Sequence, residues 1–200
     1  MSLLDSIHGG YVARRRLQRL AALLPALLPR DAHVLDVGCG GGELDRALLD
    51  ARPDLSITGV DVLLRPERHI EVTQFDGVTL PFDDRSFDAV QFVDVLHHTE
   101  DPSRLLREAA RVARQAIVLK DHLREGLLAQ ATLRWMDDVG NTRFGVALPH
   151  NYWRRAQWMD AFAALGLTVE SMRTDLHMYP APLDWIFGRG LHFIARLRVA

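Results

Sequence analysis

The sequence predicts an α/β fold: one sheet of five parallel strands plus a carboxyl-terminal antiparallel pair, with helices on both faces. Three observations carry this. Short apolar runs alternate with helical patterns from His33 to Leu119, the glycine cluster Gly38–Gly42 joins the first run to a helix, and two further extended runs close the chain after Leu167. Strands alternating with helices at this pitch give a parallel sheet covered on both faces. Two adjacent terminal strands joined by a short connection are most easily paired antiparallel.

The elements follow in order. Residues from about Tyr11 to Leu28 read as a helix with Leu17, Leu20, Leu24 and Leu27 on one face, ended by Pro29. His33–Val37 is the first strand, and the helix behind the glycines repeats Leu44, Ala47, Leu48 and Ala51 until Pro53. Leu55–Val60, Ile70–Phe75 and Phe87–Val93 are the next three strands. Pro102 opens a helix striped by Leu105, Leu106, Ala109 and Val112, and Ala116–Leu119 is the fifth strand. Helical stretches at Leu123–Asp138 and Asn151–Leu165 flank a loop-like Gly140–His150. Leu167–Thr174 and Leu191–Val199 are the last strands, the final one alternating Leu191, Phe193, Ala195, Leu197 and Val199 against His192, Arg196 and Arg198.

With 200 residues, 48% of them apolar, the chain can bury one full core, so residues 1–200 are expected to form a single domain. Within it, 1–30 form an amino-terminal helix or lid and 31–120 a cofactor-binding half. Substrate-pocket helices occupy 121–166, and the strand pair occupies 167–200. Twenty-four basic and 26 acidic residues nearly cancel, which argues against a dedicated nucleic-acid binder. One cysteine excludes a disulfide framework and a cysteine-rich zinc module, and fits a reducing, cytoplasmic setting. No run is long and apolar enough for an integral membrane segment. Acidic Asp5 ahead of the arginines is the wrong order for a secretory signal.

The sharpest motif is VLDVGCGGGE, residues 34–43. A strand ends, glycines fall at 38, 40 and 42, and a helix starts, so backbone can turn tightly and lie against a ligand. Position 43 is Glu rather than the third glycine of a dinucleotide fingerprint. Asp36, Glu43 and Asp45 surround the turn and oppose a pyrophosphate there, and no Lys-Ser or Lys-Thr follows, so it is not a P-loop. The ligand expected is cationic, or at least not a polyphosphate. Asp61, nineteen residues past Gly42, reads as an exposed strand-end carboxylate able to accept ribose hydroxyls. Asp76-Gly77 follows the third strand, where an adenine edge could be read.

The succession VLDVGCGGG, GVDV, FDGVTLPF, FDAVQFVDVLHH and LLREAARVAR resembles the class I S-adenosylmethionine-dependent methyltransferases, and within them the small-molecule branch of ubiquinone and menaquinone biosynthesis. The resemblance is strong over Asp31–Lys120 and one of pattern elsewhere. It implies a Rossmann-like seven-stranded sheet and S-adenosylmethionine as cofactor. It further implies that Asp36, Gly38, Gly40 and Gly42 line the methionine half, and that Asp61 with Val62 holds the ribose. Asp76 and Gly77 would flank the adenine, and Asp94-Val95 would close on the methionine amine. A cofactor with a sulfonium and an ammonium against one carboxylate suits an acid-lined cleft.

Methyl transfer needs an aligned acceptor, and a base where that acceptor is a hydroxyl. His97, His98, His122 and His150 are the candidates, with His98 and His122 favoured by position. Tyr11, Asp138, Asn141, His150 and Tyr152 are candidate pocket residues, and Trp135, Phe144 and Trp153 make that stretch aromatic, suiting a flat or quinone-like acceptor. The competing reading of these aromatics is helix packing. Asp121-His122 replaces the Asp-Asn pair of metal-dependent catechol-type enzymes, so no metal is expected. Arg14, Arg15, Arg16 and Arg19 read as the wet face of the first helix, with contact to an anionic substrate or a membrane surface as the alternative, and Cys39 as a small buried side chain. Two rival functions stand beside methyl transfer: a non-catalytic cofactor-binding subunit, and an NAD-dependent oxidoreductase, which Glu43 weakens.

Overall fold

The computed structural model describes residues 3–141 and 149–200, with side chains from Gly10 to Gly140 and from Pro149 onward. Seven strands form one sheet: β1 (His33–Val37), β2 (Ser56–Asp61), β3 (Val72–Gln74), β4 (Phe87–Val93), β5 (Ala113–His122), β6 (Thr168–Arg173) and β7 (His192–Arg198). Their order is β3-β2-β1-β4-β5-β7-β6. The first five pair in parallel, and β7 runs antiparallel to both β5 and β6. The helices are α1 (Leu3–Leu23), α2 (Glu43–Ala51), α3 (Pro102–Val112), α4 (Ala129–Asn141) and α5 (Arg155–Ala164).

Apolar residues cover the sheet on both sides. Leu20 and Leu24, with Leu48 of α2, pack on Val34, Ala89, Val118 and Ile194. On the other face Leu105, Leu106 and Ala109 of α3 and Trp158 and Phe162 of α5 pack on Leu35, Val90, Ile117 and Phe193. Fully burying a side chain of this size contributes about 1.5–3 kcal/mol. The strand order reverses between β1 and β4, so a crevice opens at their carboxyl ends, the usual ligand site of an open parallel sheet.

Several boundaries differ from expectation. The first helix begins at Leu3 and gives way at Leu23 to a 3-10 turn, Leu24–Leu27, because Pro25 has no N–H to continue it. β5 runs on through Lys120, Asp121 and His122, whose polarity reads as loop although all three are buried. The following helix starts at Ala129, after left-handed backbone at Gly126 and Leu128. The final strand is not one-sided: His192 and Ile194 are as buried as Phe193, because β7 lies inside the sheet between β5 and β6.

Candidate active site

At the end of β1 the chain turns through Gly38, Gly40 and Gly42, all with positive φ. A Cβ on Gly38 would lie 2.6 Å from a methyl of Val95, and one on Gly42 would lie 2.6 Å from Ile70. Both positions therefore need glycine for conformation and for space. Asp61 reaches across from β2: its carboxylate accepts the Gly40 N–H at 2.8 Å and the Leu63 N–H at 2.9 Å. It is buried, contrary to its reading as an exposed strand-end group, because those two amides draw it into the turn. Cys39 packs over Gly59, and burial, with Asp36 and Asp45 nearby, pushes its thiol up, away from nucleophile behaviour.

Beneath the turn, Asp36 and Asp45 are buried together on the α2 side of the sheet. Burial and then the neighbouring Asp45 raise the Asp36 carboxyl well above the usual range, and burial pushes Asp45 to about 6. The retained proton lets the two carboxyl groups hydrogen-bond to each other. Asp76 sits exposed after β3 and accepts the N–H groups of Val78 and Thr79 at 2.8 and 2.7 Å, which hold its carboxyl low.

A second constellation lies past β4. Asp94 adopts left-handed backbone, and its side chain is held by Arg16 of α1 and Lys120 of β5. Burial opposes its charge, but Lys120 and Arg16 outweigh that and keep Asp94 well below the carboxylate range. Lys120 also meets His192 Nδ1 at 3.2 Å, while His192 Nε2 bonds Phe187 O at 2.9 Å. Burial and Lys120 accordingly leave that imidazole neutral, at about 3. His97 Nδ1 bonds Asp121 at 2.7 Å, and its Nε2 faces Asp137 at 3.4 Å. Burial opposes the imidazolium, yet Asp121 and Asp137 together raise it to about 10. Tyr152 donates its hydroxyl to Asp137. His122 Nε2 stands 3.7 Å from Asp94 and 3.8 Å from Asp137, without a hydrogen bond to either.

The structure brings the expected base candidates together. His97 lies 4.0 Å from His98 and 4.4 Å from His122, ring centre to ring centre. Burial and the His97 charge lower His98 to about 4 and hold His122 well below its ordinary value. Of the expected pocket residues, Tyr152 joins this cluster, and His150 bonds exposed Asp138 at 3.0 Å. Tyr11 is exposed on α1; the side chain of Asn141, and Phe144, lie outside the described residues. Arg16 and Arg19 are half-buried rather than fully on a wet face. Arg16 binds Asp94 and Arg19 binds Leu176 O at 3.1 Å, because α1 lies across the crevice. Sequence reasoning passed over Lys120 and His192. Their signal was polar residues inside otherwise apolar strands.

A mixed seven-stranded sheet of this order, with a glycine turn tied to an acid at the end of β2, defines a methyltransferase-type α/β domain. The methyltransferase-domain family matches residues 8–172, and the chain belongs to that family. Among characterised relatives, the 27-O-demethylrifamycin SV methyltransferase of Amycolatopsis mediterranei is 31% identical over 136 residues, 55% of this chain and 48% of that protein. The demethylmenaquinone methyltransferase of Thermotoga maritima is 37% identical over 89 residues, 41% and 39% of the two chains. The matched stretches thus span less than half the length of these relatives. A Haloferax volcanii methyltransferase, solved in complex with the Trm112 methyltransferase activator, shares the fold with a TM-score of 0.70, at 21% identity over 96% of both chains.

Proposed function

We propose that the chain transfers a methyl group from S-adenosylmethionine to a small-molecule acceptor, at oxygen, nitrogen or carbon. The observation that carries this reading is the unit formed by Gly38, Gly40 and Gly42 with Asp61, set at the point where the strand order reverses. The residues fit the cofactor. Gly40 has open space on its Cβ side, so its backbone can lie against a ligand, and its N–H is held by acidic Asp61. Exposed Val62 lies against Gly77, where an added Cβ would meet it at 3.0 Å, and offers an apolar wall to a flat base.

In this reading Asp61 and Val62 hold the ribose, Asp76 and Gly77 border the adenine, and Asp36 with the glycines lines the methionine portion. Asp94 and Val95 close the methionine end through backbone, since the Asp94 side chain faces the histidines. The bound sulfonium supplies an activated methyl group. On the acceptor side, His98 and His122 are the proposed bases: both are neutral, with burial and the His97 charge opposing their protonation, whereas His97 already carries its own proton. Tyr11, Asp138, Asn141, His150 and Tyr152 are assigned to the acceptor pocket. The demethylmenaquinone methyltransferase among the relatives supports an aromatic or quinone-like acceptor. No helix among the described residues is long and apolar enough to cross a membrane, and we assign the enzyme to the cytoplasm on its lone cysteine.

Thermal unfolding with S-adenosylhomocysteine, and with NAD as control, tests the cofactor. Ligand at 100 times its dissociation constant adds about 2.7 kcal/mol, which raises the midpoint by roughly 5–10 °C for a domain of this size. A rise with the methyl-donor product alone is expected. A rise with NAD alone overturns the reading. Transfer of label from S-adenosylmethionine to phenolic or quinol acceptors then separates turnover from binding.

A further inference from the structure

We propose that His97, His122, Asp94 and Asp137 form a site for one divalent transition-metal ion of zinc-like chemistry. Its use in catalysis rests on the methyl-transfer reading; its existence does not. His97 Nε2 is 3.4 Å from Asp137, and His122 Nε2 is 3.7 Å from Asp94 and 3.8 Å from Asp137. Donors bonded at about 2.0–2.1 Å to a tetrahedral ion lie roughly 3.3 Å apart, so these three pairs stand a few tenths of an ångström wider than a bound ion would hold them. Asp94, His97 and His122 each offer a donor atom within 4.8 Å of the others, and His98 joins His97 and Asp137 within the same limit.

The ring nitrogens are left open. His97 is 1% exposed, and its Nε2 faces only Asp137, a proposed co-ligand, at 3.4 Å; His122 Nε2 likewise faces only the proposed co-ligands Asp94 and Asp137, and its Nδ1 has no hydrogen-bond partner among the described residues. An outer shell is in place behind the donors. Asp121 fixes the His97 ring through Nδ1 at 2.7 Å, while Tyr152 and Lys120 share the Asp137 Oδ2 and Asp94 Oδ1 oxygens that face the histidines, leaving Asp137 Oδ1, 3.8 Å from His122, as the less encumbered carboxylate oxygen. A carboxylate behind a ligating histidine, and donors behind ligating carboxylates, are what a metal site uses to orient its ligands. Charge agrees: Asp94, Asp121 and Asp137 outnumber Lys120 and Arg16 by one, and the His97 proton balances that charge in the metal-free chain. A cation bound there takes the place of the proton between His97 and Asp137.

Two imidazoles with two carboxylates suit Zn2+ or Co2+ over Mg2+ or Ca2+, which prefer oxygen alone. Asp94, already held by Lys120 and Arg16, is the weakest donor, and the one an acceptor oxygen would replace. An ion there would polarise that oxygen and ease loss of its proton. The expectation of no metal came from the missing Asp-Asn pair; the tertiary structure assembles a different donor set.

The test is titration of chelator-treated protein with Co2+, read by its visible absorption, followed by displacement with Zn2+. One-to-one binding with an intense tetrahedral-type band is expected. H97Q and H122Q should each abolish the band, and D121N should weaken affinity by about 10–100-fold. H177A, at an exposed histidine paired with Asp184, should leave it unchanged. Circular dichroism confirms that each variant is folded, and D137N serves if a histidine variant is not. Absence of the band, or its survival in both histidine variants, overturns the site. S-adenosylhomocysteine stabilisation of the same metal-free protein separates the two readings. Stabilisation without cobalt binding overturns only the metal site, and cobalt binding without stabilisation overturns only methyl transfer.

Discussion

The backbone N–H of Gly40 donates to Oδ2 of Asp61 at 2.8 Å, so the turn after β1 and the acid ending β2 form one unit. Asp61 also accepts from Leu63, and one carboxylate thereby shapes both sides of the proposed cofactor cleft. D61A leaves two amides without their acceptor, which costs about 1–3 kcal/mol for each one left buried. D61N keeps an acceptor oxygen and should stay near wild-type stability while binding S-adenosylhomocysteine at least tenfold more weakly. Calorimetric titration of both variants checks this; unchanged affinity in D61N sinks the ribose assignment.

Gly38 tests the turn itself. G38A places a Cβ 2.6 Å from Val95 at a φ of +76°, so both sterics and backbone oppose it. Left-handed backbone costs about 1–2 kcal/mol for a non-glycine residue before the overlap is counted. The variant should melt several degrees lower and lose cofactor-product stabilisation. G10A, in open space on α1, is the control.

The buried acid pair predicts a pH dependence. Asp45 is raised from 3.8 to about 6 in the folded chain, so the native state holds this proton where the unfolded state has released it. Its contribution is therefore fully present below pH 4 and is lost as pH rises towards 6, with Asp36 acting in the same direction. The loss is on the order of 2–3 kcal/mol. Urea unfolding of wild type and D45N at pH 4 and pH 7 reads it as a difference between the proteins. An equal pH response in both would mean that the pair does not titrate in this range.

Lys120 and Asp94 form a buried pair whose disruption should be asymmetric. K120M leaves Asp94 with Arg16 alone and should destabilise by about 1.5–3 kcal/mol, since the carboxylate loses one of its two cationic donors. Adding D94N should restore part of the loss, giving a coupling of about 0.5–3 kcal/mol in a double-mutant cycle. Strict additivity in chemical unfolding would show that the two do not interact.

Much of this architecture was readable in the chain. His33–Val37 and Phe87–Val93 coincide with β1 and β4, because a short, mostly apolar run between turn residues has few other ways to be buried. The Gly38–Gly42 turn was equally legible, since glycines at strand ends announce backbone geometry directly. β5 was read too short, as period and hydropathy cannot tell a buried lysine from a loop lysine. The same limit sent Arg16 to solvent, where the fold gives it Asp94.

Local periodicity and residues near one another in the chain were enough for the strands, the glycine turn and the acids around it. Tertiary structure alone decided that Asp94, His97, His122, Asp137 and His192 share one buried cluster. These residues come from the segment after β4, the end of β5, α4 and β7, so their meeting rests on strand order and pairing register. Which histidine is charged was decided there too. A side chain's neighbours set its proton affinity, and here His97 found two carboxylates while His192 found a lysine.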